Sequence, residues 1–399
     1  MAKKTRRLRY GTIRPVLTAV KDSRNLFGLT SFFYWASLYL YVPILAVHAQ
    51  SLGASLSFVG AVIASYAIGQ LLFRIPVGLW VDARRSRKPL VAIGLLTVIV
   101  GALGLGLATT SWLLFFARTV TGVGGAFMVV FTVLYASFYP KEQSARSIGS
   151  INFINGSALM AATASGGVIA QIWGDRATFF GGAILGLIGL VTLAFVKEPK
   201  VLRPQRPSWT VFRQVASNPL LLTVSFMAVL VQFTTFAGVF GFVPVYAKSI
   251  GASSLDLGLV TMLALLSTTV MALAAAPLAR RWGHSTTVRF GAILMGLTFV
   301  AVPLVAWLPL LYLVQIAGGA ARGVLNTTFM ALSIHLVEPE QRATAMGFYQ
   351  AVYAIGMLLG PLVSGYLANS FGLPSVFFVS AAICVVLIGM ASVTALRRV

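Results

Sequence analysis

The sequence predicts an all-α integral membrane protein in which twelve transmembrane helices form two pseudo-symmetric six-helix bundles. Two observations support this prediction. Of the 399 residues, 58% are hydrophobic and only 10% are charged, with a mean hydropathy of +0.90, and soluble globular domains do not have that balance. In addition, the second half of the chain repeats motifs of the first half at one fixed offset.

Apolar runs of about 20 residues recur along the chain, and a helix of that length crosses about 30 Å of hydrocarbon. The longest polar stretch, 197–218, holds three prolines and five cations. We therefore predict a basic cytoplasmic N-terminal tail at 1–25, a first bundle at 26–196, a cytoplasmic linker at 197–218 and a second bundle at 219–399. The predicted spans are 26–50, 55–79, 89–109, 112–136, 149–172, 178–196, 219–247, 255–279, 288–306, 308–336, 344–369 and 374–395.

The repeat has an offset of 198 residues, as Gly60 and Gly258 illustrate. A shared offset indicates that a unit of about half the chain was duplicated, which creates an interface between two similar halves. In secondary transporters such an interface carries the substrate, and rocking of the halves moves it across the membrane. Further repeated positions are Ser51 and Ser249, Glu142 and Glu340, Gly149 and Gly347, Gly167 and Gly365, and Phe179 and Phe377.

The net charge of +22 is distributed unevenly along the chain. In the predicted topology, 25 of the 30 Lys and Arg residues fall in the tail, the even-numbered loops and the C-terminus, and only Arg176 and Lys248 fall on the other side. The positive-inside rule then places both termini in the cytoplasm. This asymmetry explains the charge without nucleic acid, and contact of the tail with anionic lipid is a second reading.

The sequence contains no motif that indicates a metal site, a cofactor site or a catalytic site. Cys384 is the one cysteine, and His48, His284 and His335 are far apart along the chain, so neither a disulfide nor a metal motif is expected. No nucleotide loop or catalytic constellation occurs. We expect no cofactor, no metal and no enzymatic activity.

The loop between spans 2 and 3 carries a motif of glycine, aspartate and cations at Gly78, Asp82, Arg87 and Lys88. It resembles the loop signature of the major facilitator superfamily, although Ala83 stands where that family usually has a cation and Arg85 where it has a glycine. The resemblance implies that Asp82 latches the cytoplasmic side in the outward-facing state. A solvated turn is the alternative.

Span 4 contains Arg118 followed by Thr121, Gly122, Gly124 and Gly125, which resembles a second signature of the superfamily, prominent in proton-coupled members. An arginine at membrane depth costs about 2.5–3.5 kcal/mol or more. We therefore expect a functional or conformational role for Arg118. Snorkelling toward the outer surface is the alternative.

Span 11 carries Gly356, Gly360 and Pro361. This resembles the Gly-Pro signature that the drug:proton antiporter branch has in span 5, but here the span-5 copy lacks the proline. Small residues allow close helix packing in lipid. We expect the glycines of spans 4 and 11 to serve packing.

All eight acids lie outside the span centres, and Asp256, the nearest to one, is expected to start a helix. Three arginines do lie within spans: Arg74, expected to snorkel, Arg118 and Arg322. One hypothesis is that Arg118 and Arg322 bind an anionic or carbonyl-rich substrate, and the other is that helix carbonyls and polar side chains satisfy them. Further cavity candidates are Tyr34, Trp35, Tyr66, Gln70, Asn152, Asn155, Gln232, Asn326, Gln350 and Tyr353.

The resemblance covers the whole chain and implies a secondary active transporter that works by alternating access. We expect proton-coupled efflux of small organic compounds by a monomer in a bacterial-type inner membrane, with a small-molecule substrate, the proton and the lipid bilayer as partners and no nucleic acid. A facilitator or exchanger of an anionic metabolite is one alternative. A lipid flippase or a non-transporting membrane sensor is another.

Overall fold

The computed structural model describes residues 13–84, 86–140, 143–199, 209–335, 337–338 and 341–393. Twelve helical segments of the described chain are long and apolar enough to cross a membrane, as the sequence predicts. They are Asp22–Ser51, Leu56–Val81, Lys88–Leu107, Ser111–Ala136, Arg146–Trp173, Asp175–Ala194, Pro219–Ser249, Ser254–Trp282, His284–Leu304, Leu308–Leu332, Thr344–Phe371 and Pro374–Ser392, numbered here as spans 1 to 12.

The described chain contains sixteen α-helices, fifteen of which build these spans. The first begins inside the predicted tail, and a short helix lies in the predicted linker. They are α1 Ile13–Tyr39, α2 Val42–Ser51, α3 Leu56–Ala83, α4 Lys88–Leu107, α5 Ser111–Ala126, α6 Met128–Ala136, α7 Ser144–Trp173, α8 Asp175–Ala194, α9 Trp209–Ala216, α10 Pro219–Ala237, α11 Val243–Ser249, α12 Ser254–Trp282, α13 His284–Ala301, α14 Leu308–Leu332, α15 Arg342–Phe371 and α16 Pro374–Val393.

Spans 1, 4 and 7 are interrupted rather than continuous. Span 1 breaks between α1 and α2, span 4 between α5 and α6, and a π-helix at Gly238–Phe242 joins α10 to α11. Single π-helical turns inside helices occur frequently at functional sites. The π-helix of span 7 contributes to the cavity described below.

The helix boundaries follow local chemistry. The side chains of Ser55 and Thr110 cap the first turns of α3 and α5, which satisfies backbone N–H groups that have no partner within the helix. Asp256 forms a reciprocal capping box with Ser253 at the start of α12. Asp256 is therefore a helix-start residue, as expected from the sequence.

The two halves meet through repeated glycines. A Cβ placed on Gly60 of span 2 would lie 3.0 Å from the Cα of Gly365 in span 11, and one on Gly258 of span 8 would lie 2.8 Å from the Cα of Gly167 in span 5. Gly258 and Gly365 are the 198-residue repeats of Gly60 and Gly167. The same pair of small residues thus permits close approach at both crossings between the halves.

The two glycine crossings between the halves lie near one side of the molecule, where the halves are packed closely. The packed side, here the distal side, carries the positive-φ turns at Gly53 and Gly251. The opposite side, here the terminal side, carries residues 197–199 and the helix α9. There, a Cβ on Gly78, Gly149 or Gly347 would meet nothing within 4 Å, so these three glycines make no close contact between the halves.

The predicted packing glycines lie at helix crossings within each half. A Cβ on Gly122 would collide with the carbonyl of Tyr66, and one on Gly124 would lie 2.5 Å from Val98. In the second half, Gly356 and Gly360 face the backbone of span 7 at Val229 and Phe233, while the carbonyl of Pro361 faces Gly60. Each crossing leaves no room for a larger side chain.

Candidate substrate cavity

A cavity of about 280 Å³ lies between the two halves, within the membrane-spanning part of the fold. Spans 1, 2, 4 and 5 form its wall on one side, and spans 7, 8, 10 and 11 form it on the other. The lining residues are Trp35, Tyr39, Tyr66, Gln70, Arg74, Met128, Leu159, Gln232, Thr235, Phe236, Val239, Phe240, Leu265, Thr268, Arg322, Asn326, Tyr353 and Met357.

Aromatic rings close the distal end of the cavity. Tyr39 of span 1 and Phe240 of the π-helix meet edge-to-face across the interface, with ring centroids 5.8 Å apart. The ring centroids of Phe236 and Phe240 are 5.1 Å apart, and those of Trp35 and Tyr39 are 5.9 Å apart. This cap is apolar apart from the Trp and Tyr polar groups, and it suits the apolar part of an organic molecule.

Arg322 of span 10 reaches the cavity from the second half. The residue is only 4% exposed, and its Nη2 atom has no hydrogen-bond partner among the described residues. Asn326, one helical turn further on, also lines the cavity. A buried guanidinium with an unsatisfied donor carries a large free-energy cost unless a ligand or ordered water meets it.

Arg74 of span 2 lies in the wall and does not snorkel to the membrane surface, contrary to expectation. Its Nη2 donates to Oε1 of Gln350 at 2.8 Å and to the sulfur of Met128 at 3.3 Å, and its Nη1 donates to the carbonyl of Gln350 at 3.4 Å. The guanidinium also lies 6.0 Å from the ring centroid of Tyr353. Gln350 and Tyr353 belong to span 11, so Arg74 bridges the two halves.

Arg118 lies behind the cavity wall rather than in it. The guanidinium is 4.4 Å from the ring centroid of Tyr66 and 5.6 Å from that of Tyr41. It donates to Oγ1 of Thr121 at 3.3 Å and to the hydroxyl of Tyr41 at 3.5 Å, and its Nε has no partner among the described residues. Arg118 thus contacts the cavity wall at Tyr66, whose ring its guanidinium faces.

No carboxylate lines the cavity among the residues that the structure describes. Within the described part of the chain the one contact of salt-bridge length joins Nδ1 of His48 to the carboxylate of Asp175 at 3.2 Å, away from the cavity wall. Asp256 is engaged in its capping box and accepts a hydrogen bond from the hydroxyl of Tyr312 at 2.5 Å. The cavity therefore carries positive charge without a protein counter-charge among these residues.

Five of the polar candidates from the sequence lie in the cavity wall, together with Trp35. They come from spans 2, 7, 10 and 11, as the duplicated architecture requires. These five are Tyr66, Gln70, Gln232, Asn326 and Tyr353. Contact of any of them with a substrate remains a prediction.

The other four candidates lie elsewhere. Tyr34 is fully buried inside the first half, where its hydroxyl donates to the carbonyl of Gly124 at 2.7 Å and its ring stacks on Phe131. Asn155 accepts a hydrogen bond from Ser31, and Asn152 is exposed on span 5. Gln350 contributes indirectly, because it holds Arg74. Helical rotation sets these positions, and the sequence predicted the span but not the direction in which each side chain points.

The predicted latch cannot be traced at its central residue. The side chain of Asp82 lies outside the described residues, so the latch remains a prediction. A Cβ placed on Gly78 would meet no atom within 4 Å. Lys88 donates from Nζ to the carbonyls of Ala194 and Val196, both at 2.8 Å. The backbone N–H groups of Arg87 and Lys88 donate to the carboxylate of Glu198 at 2.6 and 3.2 Å. This loop is tied to the end of span 6, within the first half.

Several lining residues were missed by the sequence analysis. Thr268 could have been found, because it is the 198-residue repeat of Gln70, and both line the cavity. Val239 and Phe240 line the cavity because they belong to the π-helix, and no motif in the sequence predicts that π-helix. The apolar lining residues cannot be distinguished in the sequence from residues of the helix-packing core. The missed lining residues are Tyr39, Met128, Leu159, Thr235, Phe236, Val239, Phe240, Leu265, Thr268 and Met357.

Two six-helix halves around a shared central cavity define a multi-pass membrane transporter. The sequence model of the Major Facilitator Superfamily matches residues 27–307 and 226–398. The chain belongs to this superfamily, which the loop and span-4 motifs indicated. It is a transporter and not an enzyme.

Relatives of known name extend over nearly the whole chain. "Multidrug resistance protein MdtG" of Proteus mirabilis is 23% identical over 93% of this chain and 95% of its own length. "Multi-drug resistance efflux pump PmrA" of Streptococcus pneumoniae is 25% identical over 92% of this chain and 94% of its own length. Both similarities span the two halves and the segment between them.

Solved structures share the fold. A bacterial homologue of the human lysosomal transporter Spinster, in an inward-facing and unoccupied conformation, has a TM-score of 0.80 at 15% identity, covering 94% of this chain and 96% of its own. The nucleoside transporter NupG has a TM-score of 0.76 at 17% identity, covering 95% and 99%. These identities support the architecture alone.

Proposed function

We propose that this chain exports small amphipathic organic compounds from the cytoplasm by secondary active transport, with alternating access to the cavity between its halves. The observation that carries the proposal is the cavity itself, which both halves enclose at mid-membrane. Its aromatic cap and few polar groups are typical of sites for organic ligands, and its volume of about 280 Å³ suits a small one. The two named relatives, a multidrug resistance protein and an efflux pump, support export.

We propose that the terminal side faces the cytoplasm of a bacterial-type inner membrane. The exposed cations Arg84 and Arg281 lie on the terminal side, which supports this orientation by the positive-inside rule. We propose that the conformation described here is closed to the outside, because both glycine crossings lie toward the distal side, and open to the cytoplasm. This is the state in which an exporter collects its substrate.

The proton is the coupling ion that we propose, since the span-4 signature is typical of proton-coupled members of the superfamily. We propose a monomer as the working unit, because one chain supplies every wall of the cavity. The proton and the monomer are separate parts of the proposal. Transport in liposomes of defined internal pH tests the former, and the mass of the detergent-solubilised protein tests the latter.

The export proposal is tested by measuring dye accumulation in efflux-deficient bacteria that express the chain, with and without a protonophore. The panel holds anionic, neutral and cationic amphipathic dyes. We expect at least one dye to accumulate less in expressing cells, and the protonophore to abolish the difference. Unchanged accumulation across the whole panel, with the chain present in the membrane, would contradict the proposal.

A pair of tryptophan substitutions separates cavity transport from effects of expression. Asn326→Trp places a large ring in the cavity, and Leu273→Trp places the same ring on a side chain that is 81% exposed on the surface of span 8. We expect the first variant to lose export and the second to retain it. Equal export by the two variants would show that the substrate does not pass through the cavity.

A further inference from the structure

The charge of the cavity carries information about the substrate. Arg322 lies ten residues before the end of α14 and reaches the cavity from the middle of span 10. A Cβ on Gly318 would lie 3.4 Å from its Nη1, so the absence of a side chain at Gly318 leaves room for the guanidinium. The helix accommodates the arginine but supplies no partner for its Nη2.

The other two arginines at membrane depth have partners that Arg322 lacks. Arg74 is held by the side-chain and main-chain oxygens of Gln350. Arg118 is placed between the rings of Tyr41 and Tyr66 and donates to Thr121. Arg322 is thus the cavity arginine whose guanidinium is free to receive a ligand.

We infer that the transported compounds are organic anions, and that Arg322 binds their carboxylate or a similar acidic group. This inference rests on the proposed function and names its substrate class. A guanidinium binds a carboxylate through two parallel hydrogen bonds. A neutral acceptor would satisfy a donor but would leave the buried charge uncompensated in a low-dielectric setting.

Cationic compounds are disfavoured by the same arrangement. Arg74 and Arg322 both line the cavity, and none of the described residues in its wall is a carboxylate that could offset them. The resulting positive potential repels a cation and attracts an anion. The aromatic cap of Tyr39, Phe236 and Phe240 would receive the apolar body, so an aryl carboxylate matches both ends of the cavity.

The test compares 1-naphthoate with 1-naphthamide, which have the same ring and differ in the acidic group. Binding of each to the purified full chain in lipid nanodiscs is measured by equilibrium dialysis, with empty nanodiscs as background. We expect the carboxylate to bind at least tenfold more tightly than the carboxamide. Equal binding of the two compounds, or no binding of the carboxylate, would overturn the inference.

Variants assign the preference to Arg322. Arg322→Gln removes the charge and should reduce the carboxylate preference to less than threefold, whereas Arg322→Lys keeps the charge without the planar fork and should give an intermediate preference. Arg281→Gln, an exposed arginine in the same half, is the matched control. If Arg322→Gln aggregates, the Arg322→Lys variant serves as the test. A partial loss of its preference for the carboxylate over the carboxamide would support bidentate binding by Arg322. An undiminished preference would contradict bidentate binding.

Transport in proteoliposomes separates this inference from export itself. Binding of naphthoate without its movement across the membrane would support the anion site and contradict the export proposal for this probe. Movement of cationic dyes with no binding of naphthoate would support export and overturn the anion site. The two proposals therefore fail on different measurements.

Discussion

Arg74 of span 2 donates to the side-chain oxygen of Gln350 in span 11 at 2.8 Å, and this is the one side-chain to side-chain hydrogen bond between the two halves within the described part of the chain. It lies further toward the terminal side than the crossing of Gly60 and Gly365 in the same two helices. A bond in this place belongs to the conformation described here, because spans 2 and 11 must shift relative to each other when the halves rock.

Removing this bond should change the balance of conformations. Gln350→Ala deletes the acceptor, and hydrogen bonds to charged groups contribute about 1.5–3 kcal/mol, so the population of the described state should fall about tenfold or more relative to the alternative. Spin labels at Gly149→Cys and Gly347→Cys, where a Cβ meets open space, report the separation of the terminal sides. We expect the distance distribution to shift toward shorter values.

The control for that measurement is Gln214→Ala, an exposed glutamine outside the interface. Both variants carry Cys384→Ser so that only the introduced cysteines are labelled. A distance distribution unchanged by Gln350→Ala would show that the bond has no part in setting the conformation.

The glycine crossing gives a second prediction. Gly60→Val adds a branched side chain against the carbonyl of Pro361 and the Cα of Gly365, and overpacking typically costs about 1–3 kcal/mol. We expect the distal side to open and transport to fall at least tenfold. Gly389→Val, at a glycine with nothing within 4 Å, should transport normally. Full activity of the Gly60 variant would be incompatible with tight closure at this crossing.

Lys88 and Glu198 form reciprocal caps on two neighbouring helices. Lys88 donates to carbonyls at the end of span 6, and Glu198, just past that end, accepts from N–H groups at the start of span 3. Glu198→Gln removes the charge that complements the helix N-terminus, an effect of about 0.3–1 kcal/mol. We expect the Tm of the purified protein to fall by about 0.4–1.2 °C, since the entropy of unfolding scales with chain length. Glu338→Gln, on an exposed acid, is the comparison; equal Tm values would refute the cap.

The ring of Tyr66 separates Arg118 from the cavity. Tyr66→Phe keeps the ring over the guanidinium, while Tyr66→Leu removes the cation–π contact and part of the wall. We expect the Phe variant to retain at least half of the transport rate and the Leu variant to lose at least 90% of it, as measured by initial rates in proteoliposomes. Similar rates for Phe and Leu would show that the ring is dispensable.

The fold could be predicted from the sequence because the span lengths, the 198-residue repeat and the asymmetric distribution of charge can each be recognised without a three-dimensional structure. The repeat even marked the interface, since Gly60 and Gly365 come from motifs that the sequence singled out. Side-chain direction was harder. Tyr34 and Tyr66 are both tyrosines on spans of the first half, yet one fills the bundle interior and the other lines the cavity.

Partners across the interface could not be read from the sequence at all. Nothing in the chain indicates that Arg74 meets Gln350, because that contact depends on the relative placement of two duplicated halves. Arg322 and Arg118 looked alike as buried cations. Only the packing around them shows that Arg118 is enclosed by tyrosine rings behind the cavity wall, while Arg322 lines the cavity and its Nη2 has no partner among the described residues.

Alternating access to the cavity is the central claim, and the most direct measurement is cysteine accessibility at Asn326→Cys in the Cys384→Ser background. A membrane-impermeant thiol reagent is applied from each side of oriented vesicles, with and without a transported compound. We expect labelling from the terminal side without the compound, and increased labelling from the distal side when transport runs. Labelling from only one side under every condition would contradict alternating access.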